Sequence, residues 1–254
     1  MKWNPRKLDS EWPFDVMSAD FVLDAKSTAL IVVDMQSDQM TVEPDSPLAT
    51  HYPQIVSYWN RRIDETVVPN IRRLMGLFRR QNRKIVFTRN GNVTPSGDEM
   101  TERLKANFSA GGPRSHRDSP GYQIDERLSP GEADLVVDKL TSGGFTASLL
   151  DHALRNMGIR SLVITGILTD ACVLGTARAA AELGYNSLLC EDACATFTQR
   201  AHDEALLMHA RIFGRVETTD GVLAELAVHA PQPSAAGDAS EPRAPELRVR
   251  RRKR

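Results

Sequence analysis

An uninterrupted apolar run, Ala29–Val33 inside TALIVVDMQ (Thr28–Gln36), constrains this chain more than any other feature. Five apolar residues without polar alternation describe a strand buried on both faces, the pattern of a parallel sheet covered by helices on each side. The rest of the chain fits that demand. Ile63, Val67, Ile71, Leu74 and Phe78 recur at steps of four, four, three and four and predict a helix with one apolar face. Pro69 marks either a kink in that helix or its true start. KIVFTRNGN (Lys84–Asn92) reads as a second strand, and the irregular stretch from there to about Pro130 is long enough to predict a functional covering segment. Further strands are read in ADLVVDKL (Ala133–Leu140), IRSLVITG (Ile159–Gly166), YNSLLCED (Tyr185–Asp192) and RVETT (Arg215–Thr219). Helices are predicted over Thr146–Gly158, Asp170–Leu183 and Ala201–Phe213, with a last one to about Val228. Strict alternation of strand and helix implies right-handed crossovers and an α/β fold.

The chain has 254 residues, a formal net charge of -1 and 41% hydrophobic content, which suits one sizeable domain, read over 27–230. Residues 1–26 form a mixed arm expected to lie over a domain or subunit surface, and 231–254 a Pro/Ala/Ser-bearing tail ending in RVRRRKR, read as disordered and solvated. A near-neutral balance argues against nucleic-acid and membrane partners, which need a one-signed field. Cys172, Cys190 and Cys194 are an odd, sparse set, unlike a secreted disulfide framework, and point to a reducing cytoplasm. No signal-peptide core is visible, and no stretch reaches the run of about 20 apolar residues that spans a bilayer. The expected partner is a small molecule.

Three reactive residue types stand at strand ends, where open α/β sheets place their ligand crevice. Asp34 closes ALIVVD, Lys139 closes DLVVDK, and Cys172 follows LVITG across a turn. Singly, each has a bland reading as a cap, a solvated strand end or a small core residue. Together they supply an acid, an ammonium and a thiol, the parts of an activated nucleophile. A helix N-terminus and a nearby ammonium both favour a thiolate, so Cys172 is expected to be held toward its anion. Asp34 is the group to accept a proton and return it to a leaving amine. Gly166 admits the turn, Thr169 and Asp170 brace it, and backbone N–H groups there face a developing oxyanion.

In this order, ALIVVDMQSD, VVDKLTSGGF, LVITGILTDACVLGTARAAAELGY and CEDACA resemble the isochorismatase-like cysteine hydrolases over roughly residues 28–225. That resemblance implies a three-layer α/β/α sandwich with a mostly parallel, doubly wound sheet, and a homodimer or homotetramer. It carries the catalytic acid, lysine and cysteine onto Asp34, Lys139 and Cys172. The family's non-proline cis peptide falls on Ile167–Leu168, with Leu168 and Cys172 N–H as oxyanion donors. Members that cleave the vinyl ether of isochorismate lack the cysteine. Metal-holding members carry several histidines after the first strand, where this chain offers only His51, so neither metal nor cofactor is expected. His116, His152, His202, His209 and His229 read as surface or packing residues.

Within the family, FTRNGN and DKLTSGGF are most similar to the biuret, ureidoacrylate and N-carbamoylsarcosine amidohydrolases. The implied activity is metal-independent hydrolysis of a small amide, ureide or carbamoyl compound through a thioester. Arg89 and Asn90 are candidates to hold a substrate carboxylate or carbonyl, or else to be a surface ion pair and a turn residue, and Phe145 is read either as core or as an apolar wall. Gln39, where relatives carry an aromatic, is expected to make the pocket more polar. Asp38 is read as a loop brace, and Cys190 and Cys194 as structural. Two rival readings stand beside this: hydrolysis of another bond, an ester or vinyl ether, and an inactive member serving as an interaction module.

Overall fold

The computed structural model describes residues 4–13, 20–109 and 116–228; His229 and the tail 231–254 lie outside them. Six strands form one sheet: β1 (Thr28–Val33), β2 (Ile85–Asn90), β3 (Leu135–Lys139), β4 (Ser161–Ile167), β5 (Asn186–Ala195) and β6 (Arg215–Glu217). All pairings are parallel, in the order β3-β2-β1-β4-β5-β6. The chain winds outward from β1 to β3, returns to lay β4 on the other side of β1, and winds outward again. The reversal between β1 and β4 opens the crevice at their carboxyl ends.

The nine α-helices of the described residues are α1 (Ser37–Met40), α2 (Pro47–His51), α3 (Pro53–Arg62), α4 (Val68–Arg80), α5 (Glu102–Ser109), α6 (Leu150–Asn156), α7 (Leu174–Glu182), α8 (Gln199–Met208) and α9 (Thr219–Val228). Every residue of β1 is buried, as its unbroken apolar run demands. Its alternate side chains feed two cores. Leu30 and Val32 join Phe87 and Val163 against Trp59, Ile71, Leu74 and Phe78 of α3 and α4 and Leu226 of α9. Ala29, Ile31 and Val33 join Val86 and Ile164 against Leu154 of α6, Ala177 of α7 and Leu206 of α8. Each such aliphatic side chain contributes about 1.5–3 kcal/mol by burial.

Three helices depart from the predicted regularity through single π turns. Ile63–Val67 joins α3 to α4, with the Val68 N–H donating to the Ile63 carbonyl; Pro69 occupies the first turn of α4. The predicted helix is thus continuous, and the wider turn relieves the clash that a proline ring makes with the preceding turn. His209–Phe213 extends α8 in the same way. The third, Thr169–Val173, carries Cys172 and precedes α7. Strand β5 runs on to Ala195, beyond the predicted end at Asp192, with a register irregularity between Ile164 and Gly166 of β4.

The described part of the arm packs on its own chain: Lys7 pairs with Glu191, Asp9 with Arg211, and Leu23 is fully buried. The segment predicted to cover the site is tied down at 122–125. There the Asp125 N–H donates to the Met35 carbonyl and the Ser37 N–H to the Gln123 carbonyl. Among the described residues no helix is long and apolar enough to cross a membrane.

Candidate active site

Asp34, Lys139 and Cys172 meet at one rim of the sheet. The Lys139 Nζ lies 2.7 Å from Asp34 Oδ2, with both side chains at most 1% exposed. Lys139 ends β3, two strands from β1, and its side chain crosses the end of β2 to reach the carboxylate. It also donates to the Thr141 and Ser142 carbonyls, each at 3.0 Å. Lys139 is thus held by two backbone carbonyls and by its ion pair with Asp34. Burial works to lower the Lys139 pKa, but the Asp34 carboxylate, with Cys172 beside it, outweighs burial and holds the pKa above the ordinary lysine value.

Asp34 leaves β1 with a φ of 52°, a left-handed conformation that an aspartate adopts more readily than a β-branched residue. The Thr88 hydroxyl donates to Asp34 Oδ1 at 2.7 Å, and the Asp34 N–H donates to the Thr88 carbonyl at 3.1 Å. One carboxylate oxygen is therefore fixed by Thr88 and the other by Lys139.

The half-buried Cys172 lies close enough to Asp34 and Lys139 for both to act on its thiol. Burial, reinforced by the Asp34 charge, pushes its thiol up to about 12 against the opposing pull of Lys139. This direction runs against the expectation that helix and ammonium hold the sulfur toward the thiolate: burial first, and the Asp34 charge second, outweigh Lys139. The opening of the turn is equally constrained. Gly166 has a φ of 109°, and a Cβ there would overlap the backbone of Val33 on the neighbouring strand. The Ile167–Leu168 peptide bond is cis. The Leu168 carbonyl accepts the Ala171 and Val173 N–H groups, each at 3.1 Å, which shapes the turn around Cys172.

Asn90, Gln39, Arg89 and Phe145 divide into two pairs. Asn90 pairs with Lys139 in register and is buried, and its Oδ1 has no hydrogen-bond partner among the described residues. Gln39 sits beside it, donating to Gln36 Oε1 at 3.1 Å and to the Asn90 carbonyl at 3.5 Å. Arg89 and Phe145 are not brought to the cluster. Strand alternation turns Arg89 to the opposite sheet face, where its Nε donates to Asp138 at 2.8 Å, its guanidinium to Gln123 at 2.6 Å, and its plane lies over Tyr122. Phe145 packs on Tyr185, ring centroids 5.6 Å apart, within the α6–α7 core.

Several site-shaping residues escaped the sequence reading. Gln36 is fully buried and clamps the end of β2, accepting the Asn90 N–H at 2.7 Å and donating to the Tyr122 carbonyl at 2.9 Å. Thr176 accepts the Gly144 N–H at 2.9 Å and donates to the Cys172 carbonyl at 2.6 Å, joining the lysine's loop to the cysteine's helix. Asp38 braces a loop as expected, packed so closely on Gly121 that a Cβ there would come within 2.8 Å. Of the histidines read as surface or packing residues, His202 and His209 are buried in the packing. The only advance signal for Gln36, Thr88 and Thr176 was a polar side chain next to an apolar run. Cys190 and Cys194 are buried in β5, bonded to Thr219 and to the Ile164 carbonyl.

The family model of the isochorismatase domain matches residues 28–221. The chain is 30% identical over 211 residues to the ureidoacrylate amidohydrolase RutB of Variovorax paradoxus, covering 78% of this chain and 81% of that protein. It is 26% identical to the isochorismatase family protein YwoC of Bacillus subtilis, covering 80% and 96%. Among solved structures, a cysteine hydrolase from Pseudomonas syringae superposes with a TM-score of 0.72 at 23% identity, covering 85% of this chain and all of that one. N-carbamoylsarcosine amidase from Thermoplasma acidophilum gives 0.58 at 24% identity, covering 76% and 97%. With its six-stranded parallel sheet and the family model matched from β1 into α9, the chain belongs to the isochorismatase family of hydrolases.

Proposed function

We propose that this protein is a cysteine amidohydrolase that cleaves a C–N bond of a small amide, ureide or carbamoyl compound through a thioester on Cys172. The supporting observation is the contact of sulfur, carboxylate and ammonium at the β1/β4 crevice. The ureidoacrylate amidohydrolase among the relatives supports the same bond type.

Lys139 is engaged by two backbone carbonyls and paired with Asp34, so the mobile proton is assigned to Asp34. As Sγ attacks the carbonyl carbon, the Asp34 carboxylate takes the thiol proton and the carbonyl electron pair moves onto oxygen. N–H groups of the Leu168–Cys172 turn are the proposed donors to that oxyanion; one such donor typically supplies about 3–4 kcal/mol of barrier lowering. Collapse of the intermediate expels the nitrogen, which takes its proton from Asp34 and leaves as ammonia or an amine. Asp34 then removes a proton from water, the hydroxide attacks the thioester, and the C–S bond breaks. The thiolate regains its proton from Asp34. Lys139 keeps its charge throughout, which favours the ionised Asp34 at the start of each half-reaction. In the proposed assignment Asn90 and Gln39 contact the substrate.

The test is an ammonia-release screen against small amides, biuret and carbamoyl amino acids, with Cys172→Ala as blank. Release by the wild-type protein and none by the variant supports the reading. Undiminished release by Cys172→Ala refutes it.

A further inference from the structure

Behind the cysteine turn, α8 presents a buried histidine that the mechanism does not use. His202 is 2% exposed and lies between two polar side chains, with the Glu191 backbone also beside it. Arg62 of α3 lies 2.9 Å from its Nε2, and the Thr169 hydroxyl 2.9 Å from its Nδ1. A guanidinium can only donate, so Nε2 must be the bare nitrogen and Nδ1 must carry the proton. Nδ1–H therefore donates to Thr169 Oγ1. Arg62 is itself anchored: the same Nη2 that faces His202 also donates to the Glu191 carbonyl at 3.1 Å and the Cys194 carbonyl at 3.0 Å, and Nε donates to the Cys194 carbonyl at 3.1 Å. Thr169, fully buried, opens the π turn three residues before Cys172. A rigid path thus runs from the end of β5 through Arg62 and His202 to the base of the nucleophile's turn.

We propose that Arg62, His202 and Thr169 form a positioning relay that holds the Cys172 turn in its reacting geometry. This rests on the thioester reading above for its effect on turnover, but its effect on the sulfur is independent of substrate. The relay needs a neutral imidazole. The histidine's surroundings provide one: burial, with Arg62 beside it, lowers its pKa to about 3. Protonation would give Nε2 a hydrogen facing a cation. None of the three side chains touches the reacting atoms, so the expected signature is a change in kcat and in thiol reactivity with little change in KM.

Thr169→Val removes the hydroxyl at constant volume, and Thr169→Ser keeps it. Turnover, KM and the rate of Cys172 alkylation by iodoacetamide are measured for both, with folding checked by urea unfolding. Thr169→Val is expected to lose at least tenfold in kcat with KM within about twofold and an altered alkylation rate; Thr169→Ser stays within about threefold of wild type. Wild-type kcat and alkylation in Thr169→Val, or equal loss in both variants, overturns the relay. If no substrate is turned over at all, the thioester reading fails while the alkylation arm still decides the relay. The unmodified protein gives a second test: 15N NMR of labelled histidines is expected to show His202 in the Nδ1–H form from pH 5 to 8. An Nε2–H form, or titration near the ordinary histidine value, overturns the relay even where a variant does not fold.

Discussion

Lowering the pH from 7.5 to 5.0 is expected to destabilise this protein by about 4 kcal/mol through two histidines. His202 and His209 are 2% and 0% exposed, and burial lowers their pKa values to about 3 and about 4. Geometry agrees with the neutral form in each. His202 accepts from Arg62, while His209 directs Nε2 at the Ser187 carbonyl 3.2 Å away and leaves Nδ1 buried without a partner among the described residues. In the unfolded chain both protonate near 6.5. Below that pH the unfolded state binds more protons than the fold, so this stability is complete above about 6.5 and declines as pH falls toward the folded values. At pH 5.0 each group has lost about 1.5 pH units at about 1.4 kcal/mol per unit, or about 2 kcal/mol. For a chain of this size the sum corresponds to a fall in Tm of about 10 °C. Asp24 and Asp125, whose pKa values are lowered, act only below their unfolded values near 4, outside this window. Urea unfolding at the two pH values, followed by fluorescence of the fully buried Trp59, measures the change. His209→Gln, which keeps a donor for Ser187, is expected to halve it. A wild-type loss under about 1 kcal/mol, or an unchanged loss in His209→Gln, refutes the reasoning.

Three further outcomes follow from the site. Asp34→Asn removes the proton acceptor and is expected to cut kcat/KM at least a hundredfold with an unchanged circular dichroism spectrum; residual activity within tenfold contradicts the assignment. Lys139→Met strands a carboxylate that is 1% exposed and is expected to cost about 3–5 kcal/mol in urea unfolding at pH 7.5; a loss under about 1 kcal/mol contradicts the pairing. Arg89→Ala removes the bond by which β2 holds the covering segment at Gln123, so trypsin is expected to cut at Arg103, Lys105 or Arg117 several times faster; an unchanged rate argues against that tie.

Residues whose role follows from one-dimensional pattern were legible in the sequence. The apolar run of β1 announced a sheet covered on both faces, and Asp34, Lys139 and Cys172 stood out because each follows such a run. Their convergence was readable because parallel strands deliver all their carboxyl ends to one rim. Roles set by which way a side chain turns were not legible. Arg89 and Asn90 are neighbours in sequence on opposite faces of β2, and only strand register tells which one shares a face with Lys139. Phe145 belongs to the core because Tyr185, 40 residues on, lies beside it. His202 had no motif around it; its partners come from α3 and the cysteine turn, elements that meet only in the fold. The direction in which the Cys172 thiol is pushed was not legible for the same reason, since it depends first on how deeply the sulfur is buried and then on the charges of Asp34 and Lys139.

The account turns on a covalent bond between substrate carbonyl and Cys172. Acid-quenching the protein during turnover of an ammonia-releasing substrate, then mapping its peptides by mass spectrometry, reads that bond directly. An acyl adduct confined to the peptide bearing Cys172, appearing no later than the first ammonia and absent from Cys172→Ala, is the predicted result. Sustained turnover with an unmodified Cys172 at every quench time, matched by Cys172→Ala, would contradict it.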